Sequence, residues 1–282
     1  MLSVEELEDC LIDLAFSEDI GDGDHTTLCC IPEDAEGKSH LLAKEAGVVA
    51  GLRVAKEIFR RFDPTLQVEE LIHDGSRIQP GDIIMVVSGK IRSLLQTERL
   101  MLNVVQRMSG IATTTARYVE RLKGTKAHVL DTRKTTPGMR MMEKEAVKLG
   151  GGMNHRIGLF DMILLKDNHV DFAGGIAQAL DRCAQYQKEK GLSLKVEIEV
   201  RSFDEIRQVL EHKGVDRIML DNFSVEDTRK AVEMINGAVE IESSGGITFD
   251  TIRDYAECGV DFISVGALTH SVKCLDLSFK AC

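Results

Sequence analysis

The spacing of apolar residues changes character near Gly124. Before it, Leu7, Cys10, Leu11 and Leu14 recur at helical intervals and predict an amphipathic helix over Val4–Phe16. A polar loop, SEDIGDGDHTT, follows. Its acids Asp22 and Asp24 lack the ligand spacing of a calcium loop, so a turn and a helix cap are expected there. The short runs HLLAKEAGVVAG, LQVEELIH and DIIMVVSG, with the turn-rich DGSRIQPGD before the last, predict a small, mostly antiparallel sheet within residues 20–90. Leu95, Leu102, Val105, Met108 and Ala112 then mark one long helix over Ser93–Lys123, with Gly110 as a candidate break.

Beyond Gly124, short apolar runs alternate with amphipathic stretches. The runs are HVLDT, DMILLK, KVEIEV, RIMLDN, VEIESSGG and FISVGA. Helices are predicted between them over Phe172–Lys190, Phe203–Lys213, Val225–Ile235 and Phe249–Cys258. This strand–helix grammar implies a parallel sheet. No dinucleotide-type glycine fingerprint follows the first run, which favours a β/α barrel over a Rossmann sheet. Fewer than eight clean runs are present, so the barrel is expected to be incomplete.

Composition narrows the class. A chain of 282 residues with 43% hydrophobic and 29% charged residues can bury a large core, and it suggests two domains at roughly 150 residues each. The net charge of −11 argues against a broad nucleic-acid or anionic-membrane footprint. Seven scattered cysteines without a Cys-x-x-Cys pair read as reduced thiols, and the acidic start of the chain is unlike a signal peptide. A cytoplasmic protein is expected.

In a β/α barrel, function gathers at the C-terminal strand ends. Arg133 and Lys134 follow the first run here, and Lys166 ends the second. Glu197 and Glu199 lie two apart on the third, and Asp221 and Asn222 end the fourth. Ser243, Ser244, Gly245 and Gly246 end the fifth, and Gly266 ends the sixth. The loop GGGMNHRIG adds His155 and Arg156. Residues 131–169 carry seven Lys/Arg against five Asp/Glu, a local excess of positive charge on an acidic chain. Arginines suit carboxylate or phosphate, paired acids beside phosphates suit Mg²⁺, and glycine turns admit a phosphate to backbone N–H groups. Singly, each feature has a plain structural explanation: a solvated Lys166 or Arg99, carboxylates lining a polar core, a tight Gly245–Gly246 turn. Together they predict an enzyme for an anionic, phosphorylated substrate that uses Mg²⁺.

The segments ERLMLNVVQRMSGIATTTARYV, DTRKTTPGMR and GGGMNHRIGLFDMILLKDNH resemble those of quinolinate phosphoribosyltransferase, the decarboxylating nicotinate-nucleotide pyrophosphorylase of NAD biosynthesis. EDIGDGDHTT, KEAGVVAGL, VEIEV, MLDNF, ESSGGI and SVGALTHS match in the same order, so the resemblance covers nearly the whole chain. It implies an N-terminal α/β sandwich over residues 1–110 and an open, seven-stranded β/α barrel over 111–271, with the tail 272–282 packing back on the first domain. It implies at least a homodimer with shared sites, taking quinolinate and phosphoribosyl pyrophosphate to nicotinate mononucleotide, pyrophosphate and CO₂ with Mg²⁺. By resemblance, Arg133, Arg156 and Lys166 hold the quinolinate carboxylates, with His155 and Thr132 beside them and Arg99 supplied by the partner subunit. Lys134 contacts phosphoribosyl pyrophosphate. Glu199 and Asp221 hold Mg²⁺ and the ribose hydroxyls, while Ser244, Gly245 and Gly266 take the ribose phosphate. Lys134, Lys166, Glu199 and Asp221 form the expected catalytic set, and Glu197 is a further candidate beside Glu199 for Mg²⁺ and the ribose hydroxyls. The rival readings are a transferase of the same fold acting on nicotinate, a Schiff-base aldolase using Lys166, and a carrier module suggested by DGSRIQPGD.

Overall fold

A computed structural model of the chain describes residues 3–282. The first half contains α1 (Val4–Ile20), α2 (His25–Cys30), β1 (Glu36–Ala43), β2 (Gly47–Val48), α3 (Leu52–Phe62), β3 (Gln67–Glu70), β4 (Arg77–Ile78), β5 (Ile83–Lys90) and α4 (Ile91–Arg121). Then come β6 (His128–Leu130), α5 (Arg140–Leu149), β7 (Ile163–Leu165), α6 (Asp167–Ala173), α7 (Ile176–Lys190), β8 (Val196–Val200) and α8 (Phe203–Glu211). The chain ends with β9 (Arg217–Asp221), α9 (Val225–Ile235), β10 (Glu240–Ser244), α10 (Ile252–Glu257), β11 (Phe262–Ser264), α11 (Ala267–His270) and β12 (Leu277–Ala281).

These elements fall into two compact units. One comprises the residues up to Ala116, Lys134–Gly151 and Ala267–Cys282. Its main sheet is antiparallel, in the order β12-β1-β5-β3, with β12 seated on β1 through pairs such as Leu41↔Phe279. Alternate residues of β1 are buried, as expected for a sheet with one face toward a core. The amphipathic α3, which the strand-like reading of this region passes over, buries Leu52, Val54, Ala55, Ile58 and Phe59. Its first turn is capped from a distance: both Asp74 carboxylate oxygens accept backbone N–H bonds, from Leu52 at 3.0 Å and Arg53 at 3.1 Å. Gly110 does not break α4. A side chain there would collide with the Lys273 carbonyl, so the glycine serves close packing. Asp24 accepts from Thr27 N–H at 3.0 Å and caps α2, the turn-and-cap arrangement expected of that loop.

The second unit spans Arg117–Arg133 and Gly152–Gly266. Its six strands are all parallel, in the order β6-β11-β10-β9-β8-β7. These are the six apolar runs. A seventh extended segment contributes a single bridge, Met153 to Leu130, at the far side of β6. The expected helix over Phe172–Lys190 is interrupted: Gly174 and Gly175 take φ values of 95° and 128°, which close α6 before α7 begins. The register pairs Glu197 with Arg217, Glu240 with Arg217, Glu242 with Met219 and Ser244 with Asp221. With period-2 alternation, one face of the sheet therefore carries Glu197, Glu199, Arg217, Asp221, Glu242 and Ser244. The intervening Ile198, Ile218, Leu220 and Ile241 are buried and apolar. The compact units interleave along the chain: the tail 272–282 joins the first unit, as the sequence places it, whereas Lys134–Gly151 also joins that unit and lies inside the 111–271 domain read from the sequence.

Candidate active site

The parallel strands deliver ten of the expected residues to one end of their sheet. Thr132 and Arg133 follow β6, Lys166 follows β7, Glu199 lies near the end of β8, and Asp221 and Ser244 are the last residues of β9 and β10. Gly245 continues from β10, and Gly266 follows β11 by two residues. His155 and Arg156 come from the segment after the Met153 bridge. The Asp131 carboxylate joins two of these segments by accepting from His155 N–H at 2.9 Å.

Charges on this rim interact. Burial pushes the Glu199 carboxyl above its ordinary range and neighbouring Asp221 pushes it further, while Lys166 pulls it back. Two carboxylates that repel each other at a rim suit a divalent cation with oxygen ligands, so Glu199 and Asp221 fit Mg²⁺. The Arg156 guanidinium is pushed below its ordinary value, first by burial and then by Arg133, with Glu197 opposing. It donates to the Met162 carbonyl at 3.2 Å. A buried Arg156 beside an exposed Arg133 makes a receptor for a multiply charged anion.

After β10 the backbone turns sharply. Gly245 has φ 99°, and a side chain there would run into the Asn222 carboxamide. Asn222 itself sits at φ 55° and donates from its carboxamide to Asp221 Oδ2 at 2.9 Å. Its main-chain N–H donates to the Ser244 carbonyl at 2.9 Å, which ties the end of β9 to the turn. Such a turn leaves backbone N–H groups open to an anion.

Behind the rim lies a buried polar cluster. His155 Nε2 stands 2.9 Å from Glu197 Oε2 and 3.5 Å from Glu242 Oε2. Arg217 Nη1 reaches the same Glu242 oxygen at 3.1 Å, and its guanidinium lies 3.9 Å over the Phe262 ring. Glu197 and Glu242 are fully buried, and three of their four carboxyl oxygens accept no well-aligned hydrogen bond. Burial pushes Glu197 up to about 7, against the pull of Arg217. It pushes Glu242 up to about 8, and the charge of Glu197 adds to the shift. His155, Glu197 and Glu242 bring ligand-type atoms within 4.8 Å of one another, the spacing of a metal centre. The imidazole argues against one. His155 Nδ1 accepts the Arg156 N–H at 2.7 Å, so the ring proton of a neutral imidazole sits on Nε2, the nitrogen a metal would need.

Lys134 and Arg99 belong to the other compact unit. Arg99 is an exposed residue of α4. The Lys134 carbonyl accepts from the Thr269 hydroxyl at 2.8 Å. A buried ion pair supports this segment: Arg107 donates to Glu143 Oε1 through Nε at 2.9 Å and Nη2 at 2.6 Å, and also to Thr136 Oγ1 at 2.8 Å.

Sequence reasoning did not single out Glu242, Arg217 or Asp131. A signal for Glu242 existed, because VEIES in β10 repeats the alternation of VEIEV in β8. Arg217 opens an apolar run and reads as a strand-edge cation until the register sets it opposite Glu197.

Known proteins match nearly the whole chain. The model of the quinolinate phosphoribosyl transferase C-terminal domain matches residues 111–280, and that of the N-terminal domain matches 24–109. A Nicotiana tabacum protein named quinolinate phosphoribosyltransferase (decarboxylating) 1b is 45% identical over 285 residues, covering 96% of this chain and 81% of its own. A Bacillus subtilis (strain 168) protein named probable nicotinate-nucleotide pyrophosphorylase (carboxylating) is 39% identical, with 95% and 91% covered. The crystal structure of NadC from Streptococcus pyogenes superposes with a TM-score of 0.92 at 41% identity, covering 99% of this chain and 97% of that one.

Proposed function

This chain belongs to the quinolinate phosphoribosyl transferase family, and we propose that it transfers phosphoribose from phosphoribosyl pyrophosphate to the ring nitrogen of quinolinate with loss of CO₂. The observation that carries the reading is the neighbouring pair Arg133 and Arg156 on the same sheet end as Glu199, Asp221 and Lys166. Quinolinate is a dicarboxylate, and this set of cations exceeds what one carboxylate needs. That favours quinolinate over nicotinate.

Arg133, Arg156 and Lys166 would bind the two carboxylates, with Thr132 and His155 beside them, and so orient the ring nitrogen. The Ser244–Gly245 turn and Gly266 would hold the ribose phosphate. Fixing nitrogen and anomeric carbon in line removes much of the entropic barrier. Carboxylates near the anomeric centre would stabilise the positive charge that develops as pyrophosphate departs. Glu199 and Asp221 would hold Mg²⁺, which supplies charge neutralisation for the pyrophosphate. Once alkylated, the ring nitrogen is cationic and accepts the electron pair left by the departing CO₂, so the substrate is its own electron sink. Lys134 is proposed to contact the pyrophosphate, and Arg99 to complete a quinolinate pocket of the partner subunit in a homodimer. Both roles rest on the family resemblance. A cytoplasmic location is proposed from the pattern of cysteines. Plant relatives carry chloroplastic or mitochondrial designations, and no helix of the described residues is long and apolar enough to cross a membrane.

Incubation of the purified protein with quinolinate, phosphoribosyl pyrophosphate and Mg²⁺ should yield nicotinate mononucleotide and CO₂ in equal amounts, and a chelator should abolish both. Mononucleotide formed from nicotinate, with none from quinolinate, would overturn the reading of the arginine pair.

A further inference from the structure

Apart from His155, the buried cluster behind the rim makes no contact that the proposed chemistry requires, yet it places two carboxylates where burial penalises charge. Its connections explain its position. The His155 main-chain N–H is tied to Asp131, two residues before Arg133. The His155 ring meets Glu197 through Nε2 and the Arg156 main chain through Nδ1. Arg217 anchors Glu242 and bonds to Glu240, which keeps the second carboxyl beside the ring. A path of short contacts therefore runs from the interior of the sheet to the backbone of one arginine and the strand end that carries the other.

The chemistry of the imidazole gives this path a direction. A neutral imidazole holds one proton and offers one lone pair. Since Nδ1 accepts from Arg156, Nε2 carries the proton of a neutral ring and lies 2.9 Å from Glu197 Oε2. Turning the ring over would set Cε1 against the carboxyl groups and Cδ2 against the Arg156 N–H, and moving the proton to Nδ1 would set an N–H against that N–H. Either change would lose the Nδ1 contact to Arg156. Glu197 at Nε2 and the Arg156 N–H at Nδ1 thus favour one ring orientation together, and that orientation holds the main chain from which the Arg156 guanidinium extends.

We propose that Glu197, backed by Glu242 and Arg217, is a positioning residue of the anion pocket, holding the His155 ring as its Nε2–H tautomer so that Nδ1 fixes the Arg156 main chain. The role in catalysis rests on the quinolinate reading above, whereas the ring orientation does not.

Long-range ¹H–¹⁵N spectra of the ¹⁵N-histidine-labelled full-length protein, with the His155 signals assigned from a His155→Gln variant, read the tautomer without any substrate. The Nε2–H form is expected, and an Nδ1–H form would overturn the proposal. Steady-state kinetics read the consequence. Glu197→Leu should raise the quinolinate KM about tenfold with little change in the KM for phosphoribosyl pyrophosphate. Glu197→Gln, whose carboxamide oxygen still offers Nε2 an acceptor, should recover most of that loss. Equal losses in both substrates' KM values, or no rescue by glutamine, would reduce the cluster to general support and overturn the proposal. If Glu197→Leu does not fold, the tautomer and the Glu197→Gln kinetics still decide. A wild-type protein that shows the Nε2–H tautomer but no turnover of quinolinate would sink the functional reading and leave the positioning intact.

Discussion

Two fully buried glutamates, Glu143 and Glu197, show how differently one side chain can be housed. Glu143 faces Arg107, which donates to it twice, and the Thr136 N–H lies within 3.4 Å of both its oxygens. Glu197 has His155 at 2.9 Å, a second buried carboxyl close by, and no well-aligned hydrogen bond to either oxygen. The first is a compensated charge that braces the segment beginning at Lys134. The second belongs to a cluster with more acid than its cations balance, so it retains protons into the neutral range. Charge compensation marks structural support, and the uncompensated cluster stands behind the residues proposed to bind anions.

The largest expected effect separates the two directly. Glu143→Leu leaves the Arg107 guanidinium without its carboxylate and should cost about 3–5 kcal/mol of stability. Glu197→Leu removes an acid that holds its proton in a crowded site and should cost less, about 1–3 kcal/mol for the buried His155 N–H left without an acceptor. Denaturant midpoints of the two variants test the pair, and equal losses would erase the distinction.

A pH series gives the next effect. Glu242 titrates near 8 in the folded chain and in the ordinary carboxylate range when unfolded, so between those values the folded state binds more protons. Stability must then fall as pH rises from about 5 to about 8. Glu242→Gln removes this contribution, and its melting temperature should depend less on pH over that window than that of the wild type. Parallel curves for the two proteins would show that Glu242 is not the titrating group.

Two smaller effects probe the rim and the brace. Lys166→Met should raise the quinolinate KM about tenfold if the lysine only binds, whereas a large fall in kcat at unchanged KM would assign it to the chemistry. Thr269→Val removes one hydrogen bond to the Lys134 carbonyl, worth about 1 kcal/mol, and should raise the KM for phosphoribosyl pyrophosphate a few-fold. No change would detach the brace from substrate binding.

Much of this organisation is legible in the chain because it is local. The six apolar runs are the six parallel strands, and α9 spans the predicted Val225–Ile235. Helical and strand periods are properties of neighbouring residues, so they survive without knowledge of the fold. The same holds for Asp24, whose cap needs only a backbone N–H three residues away. Helix α3 carries the same local signal, with Leu52, Ala55, Ile58, Phe59 and Phe62 at helical spacing, and only its cap is non-local, supplied by Asp74 twenty-odd residues later. Gly110 invites a break by propensity alone, and only the nearby Lys273 carbonyl explains why a glycine stands inside an unbroken helix.

The candidate site divides along the same line. Period-2 alternation and strand ends locate Lys166, Glu199, Asp221 and Ser244, since in a parallel sheet the end of a strand is also its position on the rim. What the chain by itself determined is therefore the strand–helix order, the strand ends and the chemical types they carry. Tertiary structure alone decided that Arg217 stands opposite Glu197, that Glu242 shares its buried space, and that His155 turns Nδ1 toward Arg156. Those facts depend on register and ring orientation, which are set by contacts between residues far apart in sequence. Burial then converts those contacts into shifted protonation, because a carboxylate's affinity for its proton depends on the surroundings that the fold supplies.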